Sequence, residues 1–193
     1  MIKFLKSRAA LIGVMFGLFG GGLSQLLVVD EMTKYFNALA SLLALLISLM
    51  VSFLLQGKWN RGLRNKIKAI SIALFIGFIA AISFHTMNFT DCTFLYTDFD
   101  GNSSYYIKGN IYTTEALKFK KENKHINSDE QLVREGFISP EYKDQVWTPA
   151  SIQYNKMKLY ISYSLVIIFF VSLVSVLLEV LVGHYQKSIL KTQ

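Results

Sequence analysis

Four long apolar runs, roughly Ala9–Val29, Phe36–Leu55, Ile67–Phe84 and Leu159–Val182, dominate this chain of 193 residues. Each is close to the ~20 residues that cross a ~30 Å hydrocarbon layer as an α-helix. A helix of a soluble bundle carries a polar face, whereas these runs are apolar all round. The 52% hydrophobic content and mean hydropathy of +0.37 agree with that reading. The first run is long for a signal peptide and leads into Asp30–Glu31 with no small-residue cleavage site, so it reads as one half of a helical hairpin.

The segments between the runs are sorted by charge. Lys3, Lys6 and Arg8 precede the first run; Lys58, Arg61, Arg64, Lys66 and Lys68 lie between the second and third; Lys187 and Lys191 follow the fourth. None of these three segments contains an acid. Asp30, Glu31 and Lys34 join the first two runs, and the long third connection holds nearly all the remaining acids. Short loops rich in Lys and Arg stay cytoplasmic. The pattern predicts an all-α polytopic membrane protein with both termini inside and a small extracytoplasmic α+β domain between helices 3 and 4. Residues 1–84 then hold three spans (about 9–29, 36–55 and 67–84), 85–156 the domain, and 157–193 the fourth span (about 159–182) with a short tail. The net charge of +7 is topological in origin, because the outer segments alone carry ten basic and twelve acidic residues. No direct nucleic-acid binding is expected; the basic inner face suits anionic membrane lipids or an acidic partner.

Within the outer domain, Thr93–Phe99 and Ser104–Ile107 flank Asp100-Gly101-Asn102 and read as a β-hairpin. Thr114 starts a helix to about Asn123. Ser128 with Gln131 forms a capping box closed at Gly136, and Ser139-Pro140 signals a further helical turn. Thr148-Pro149 pairs an N-cap with proline at the first helical position. No breaker follows until Gly183, so one helix is expected from Pro149 through the last span.

Little in the sequence supports catalysis. The single cysteine, Cys92, forms no internal disulfide. Quinone-linked disulfide oxidoreductases and tetraspanins both need several cysteines and are excluded. His85, His125 and His184 lack partners at metal-ligand spacing, and no nucleophile or phosphate-loop motif occurs. No catalytic residue, metal or cofactor is expected. Asn88-Phe-Thr90 and Asn102-Ser-Ser104 match the glycosylation acceptor pattern.

Four features remain as site candidates. Gly13, Gly17 and Gly21 in the first run, and Ala73 and Gly77 in the third, form small-residue stripes that let helices approach closely in lipid; they serve packing within one bundle or between subunits. Lys58, Trp59, Arg61, Arg64 and Lys66 are either solvated charge with an interfacial anchor or a docking surface for a cytosolic partner. Tyr105, Tyr106 and Trp147 belong to an aromatic group that is either core and interfacial belt or an extracytoplasmic recognition surface. Glu179, the one carboxylate within a run, is either a structural pair or part of a pore, proton step or switch.

Four spans, an insert of about 70 residues between the last two, the Gly13/Gly17/Gly21 stripe and the Thr148-Pro149 helix start together make the chain resemble the KwaA family, membrane subunits of the Kiwa antiphage defence system. The resemblance implies a homotetrameric inner-membrane sensor or scaffold. It also implies a relay from an extracytoplasmic phage stimulus to a cytosolic DNA-binding effector, KwaB. Two other functions suit the same layout: a small oligomeric channel or transporter, and an immunity or exclusion protein acting against a toxin or phage.

Overall fold

The computed structural model describes residues 29–55 and 61–189. After a 3₁₀ turn at Asp30–Met32 come α1 (Thr33–Leu55), α2 (Arg61–Cys92), β1 (Thr93–Thr97), β2 (Ser103–Ile107), α3 (Thr114–Glu122) and α4 (Asp129–Gly136). A second 3₁₀ turn at Pro140–Tyr142 leads to α5 (Lys143–Val146) and α6 (Pro149–Ile189). Three of these helices are long and apolar enough to cross a membrane, over Ala38–Leu55, Lys66–Cys92 and Pro149–Val180. The described chain is therefore mostly helical with one two-stranded sheet. The first apolar run, with Gly13, Gly17 and Gly21, lies outside the described residues.

The chain divides into two compact units. Among the described residues the helical unit takes in 35–55, 61–84 and 163–189. Its described helices turn large apolar side chains outward: Leu46, Met50 and Phe53 on α1, and Ile72, Phe75 and Ile76 on α2, are exposed. Ala40, Ala44, Ile47 and Val51 form the buried stripe of α1, at the three- and four-residue steps that keep to one helix face. Phe36 meets Tyr163 edge-to-face with centroids 4.4 Å apart. α2 and α6 make contact where Gly77 opposes Phe169, and the Phe78 and Phe170 rings meet tilted by 46° with centroids 5.2 Å apart.

The α+β unit comprises, among the described residues, 29–34 and 85–162. Its sheet is a single antiparallel hairpin in which Phe94 pairs with Tyr106 and Leu95 with Tyr105. The Asp98 carboxylate closes the turn by accepting from the backbone N–H groups of Asp100 and Asn102, at 3.0 and 2.8 Å. Gly101 there has φ +85°, a conformation that glycine adopts without steric cost. Alternation sends Phe94, Tyr96 and Tyr106 to one face, where Ala116, Ile126, Leu132, Val133, Val146 and Trp147 complete the core. The segment joining the first two runs belongs to this unit as well. Val29 and Met32 are fully buried, and Glu31 pairs with Lys143.

Several boundaries differ from the sequence expectation. The charged connection expected over Gln56–Lys68 is helical from Arg61 onward. Helix α2 also continues past Phe84 to Cys92, because residues 85–92 contain no Gly or Pro to stop it. It ends where the Cys92 carbonyl accepts from Lys108 N–H and the hairpin ladder takes over. Helix α3 starts at Thr114 as expected, capped by Thr113, whose hydroxyl accepts from Ala116 N–H. Ser128 caps α4 through Gln131 N–H, but the Gln131 side chain reaches back to Asn127 N–H, one residue short of a reciprocal capping box. Gly136 does not supply the left-handed residue after α4; Ile138 does, at φ 70°. Glycine is needed at 136 for space, since a Cβ there would lie 2.8 Å from the Phe119 ring. The last helix follows the sequence expectation, running unbroken over 41 residues from Pro149. Asn88, the first glycosylation acceptor match, is a buried helical residue.

Candidate functional site

Within the α+β unit the hairpin separates the aromatic candidates. Tyr105 stands 42% exposed on the outer face, beside its cross-strand partner Leu95 and edge-to-face with Phe89 at 4.9 Å. Tyr106 turns the other way, against Phe94 and Tyr96. Trp147, at 1% exposure, lies in the core against Phe94 and Tyr112. A side chain so enclosed presents no surface to a partner, so Trp147 takes the core role that the sequence left open. Of the three, Tyr105 alone offers a substantial recognition surface.

A charged network ties α4 to the connection between β2 and α3. Asp129, in the first turn of α4, accepts from Lys108 Nζ and from the Tyr112 hydroxyl, both at 2.8 Å. The helix N-terminus favours a carboxylate there. Burial and the donated hydrogen bond to Asp129 push the Tyr112 phenol up to about 12. Beside it, Lys120 lies 4.9 Å from the Tyr112 ring centroid. At the hairpin turn, the hydrogen bonds from Asn102 and its neighbours hold the Asp98 carboxyl below the usual carboxylate range.

A second polar group was not legible as a site. His85 and Asn88 of α2, and Ser151, Asn155 and Ser162 of α6, are all buried in this unit. Ser162 Oγ lies 2.8 Å from His85 Nδ1 and 3.2 Å from the Leu159 carbonyl oxygen. Asn155 Nδ2 donates to the Lys108 carbonyl and to Asn110 Oδ1. Asn88 Nδ2 and Asn155 Oδ1 make no hydrogen bond among the described residues. The signal for this seam was present as polar residues at helical spacing in two apolar helices: His85, Asn88 and Cys92, facing Ser151, Asn155 and Ser162.

The remaining candidates are dispersed. Glu179 is half-buried on α6, one turn from the buried Ser175. Ala73 is exposed on α2, whereas Gly77 packs beneath Phe169. Arg61, Arg64 and Lys66 lie on the first two turns of α2, Lys66 being exposed; Lys58 and Trp59 lie outside the described residues. Cys92 is buried and unpaired. Among the described residues no group of three His, Cys, Asp or Glu side chains is placed to hold a metal ion. By length and composition, three of the described helices suit a membrane. No family model, curated protein or solved structure matches the chain.

Proposed function

We propose that this chain is a non-enzymatic, multi-pass protein of a bacterial inner membrane, a sensor or scaffold with four spans and both termini in the cytosol. In this reading the α+β unit lies outside the cytosol and meets a stimulus through the Tyr105–Leu95 face. Helix α6 carries the response inward, and the basic segment around Arg61, Arg64 and Lys66 engages a cytosolic effector. The resemblance to the KwaA family gives the setting: a homo-oligomer, tetrameric by that analogy, serving antiphage defence with KwaB as effector.

One observation supports this most. α6 is a single helix of 41 residues that contributes Pro149–Ser162 to the α+β unit and Tyr163–Ile189 to the helical unit. A continuous helix keeps its hydrogen-bond ladder along its length, so tilt or rotation at one end is carried to the other. Proline at 158 removes one ladder bond and clashes with the preceding turn. Lys158→Pro is expected to abolish protection of cells from phage while the protein still inserts. Intact protection, or a reporter fused near Tyr105 reading as cytosolic, would sink the proposal. Affinity capture from detergent extract is expected to recover a soluble partner, and Arg61→Glu with Arg64→Glu to lose it.

A second reading draws on Glu179, a half-buried carboxylate on a helix of membrane-spanning length. Such residues mark ion or proton pathways. Conductance in planar bilayers that disappears in Glu179→Gln would favour a pore over a relay.

A further inference from the structure

The α+β unit changes character along its own length. Around the core of Phe94, Leu132, Val133, Val146 and Trp147 the arrangement is that of a protein in water: the core side chains are enclosed and Glu115, Lys118, Lys121, Lys124 and Glu135 are exposed, with Phe99, Ile111 and Ile138 also facing outward. In the segments of α2 and α6 that belong to the same unit, the arrangement is inverted. Most of the enclosed residues are polar: His85 and Asn155 at 0% exposure, with Asn88, Ser151 and Ser162, while Cys92 and Leu159 are enclosed with them. The outward residues include apolar Met87 at 66% and Ile161 at 55%, beside the exposed Thr86, Thr90, Asp91 and Gln153. Water rewards the first pattern; only hydrocarbon rewards the second, because there a polar group must turn inward to find partners. The exposed Thr90 hydroxyl follows the same rule, donating to the Thr86 carbonyl of its own helix at 3.0 Å.

The level at which the pattern changes can be read from the His85–Ser162 contact, which fixes the register of the two antiparallel segments. At a rise of about 1.5 Å per residue, Met87 and Ile161 lie within about 3 Å of that level along the helix axes. The first charges, Lys158 on α6 and Asp91 on α2, come about 6 and about 9 Å further on. The Lys158 ammonium lies 5.6 Å from the Tyr154 ring centroid, and Tyr and Lys are the side chains that settle at the headgroup level.

We infer that the bilayer surface cuts through the α+β unit: phospholipid chains cover the face formed by Met87 and Ile161, and the headgroup layer begins at Lys158 and Asp91. The turns of α2 before Asp91 and the stretch of α6 between Lys158 and Ser162 are then solvated by lipid, and the His85–Ser162 contact, with Asn88 beside it, is a lipid-shielded interior. The hydrocarbon boundary on α2 moves one to two turns beyond Phe84. The inference rests on the reading of the chain as membrane-spanning.

The test uses the full chain in phospholipid vesicles. An environment-sensitive fluorophore is placed on single cysteines at 75, 87, 157, 161, 121 and 135 in a Cys92→Ala background. The same set with the buried Cys92 retained guards against an effect of that change on folding. Quenching by lipids brominated on their chains is expected at 87 and 161 to at least half the extent at Phe75, an exposed residue of the apolar part of α2. It should be weaker at 157 and absent at 121 and 135, where aqueous iodide quenches instead. Strong bromolipid quenching at 75 with none at 87 and 161 overturns this inference alone: iodide quenching at 87 and 161 would show water there, and shielding from both quenchers would show a protein neighbour. No bromolipid quenching at 75 would remove the membrane reading and this inference together.

Discussion

Small side chains on these helices are not equivalent. A Cβ on Gly77 would stand 2.5 Å from Cε1 of Phe169, closer than nonbonded carbon atoms approach, so the ring or a helix must move. Overpacking of this kind costs about 1–3 kcal/mol, and Gly77→Ala should lower the melting temperature of the detergent-solubilised protein accordingly. Ala73, one turn earlier and exposed, should tolerate Leu within about 0.5 kcal/mol. Equal losses at both positions would mean that a partner covers Ala73. The four-residue spacing placed Ala73 and Gly77 in one stripe, but spacing does not show which ring fills which gap. At Ile138 the reverse substitution applies. A β-branched residue held at φ 70° pays about 1–2 kcal/mol for the left-handed conformation. Ile138→Gly should therefore stabilise the protein by about 1 kcal/mol, net of the extra chain entropy glycine loses. The sequence suggested Gly136 for that role, because the Phe119 ring that needs the space is remote in the chain.

At the level of elements, the hairpin separates structural from surface aromatics. Removing the Trp147 side chain leaves a cavity at the centre of the α+β core, a loss of about 3–5 kcal/mol; Trp147→Ala should unfold the unit, seen as lost near-ultraviolet dichroism and protease resistance. Tyr105→Ala should leave the fold nearly unchanged, so any loss of function there would report recognition. Period-two alternation from Phe94 to Tyr96 was readable, as was the turn at Asp100-Gly101-Asn102. The enclosure of Trp147 was not, because its partners Phe94 and Tyr112 come from distant segments. The Tyr112–Asp129 contact also makes a pH prediction. The phenol is raised from 10 to about 12, so the folded state holds the proton more tightly than the unfolded chain. Its contribution is complete below pH 10 and is lost as the pH rises through about 12. Alkaline unfolding over that window should be shallower in Tyr112→Phe, measured against wild type to cancel the titration of the lysines.

At the scale of the whole molecule, orientation depends on where the lysines and arginines lie. Changing Lys58, Arg61, Arg64, Lys66 and Lys68 together to Gln removes half of the basic residues assigned to the inner side. It should yield mixed or inverted insertion in reporter fusions at the termini and near Tyr105; unaltered orientation would overturn the proposed topology. The apolar runs, hairpin turn, capping serine and uninterrupted last helix are properties of neighbouring residues, and local physics suffices for them: hydropathy, steric preference at glycine, backbone capping, and the absence of a breaker. Sequence alone therefore determined that the chain has helices fit for a membrane and a small α+β insert. Only tertiary structure decided that Val29 and Met32 join that insert, that Trp147 is core while Tyr105 is surface, and that polar side chains of α2 and α6 meet in one enclosed seam. These outcomes depend on contacts between residues far apart in the chain, such as His85 with Ser162, and no local pattern specifies which distant surface a side chain will meet.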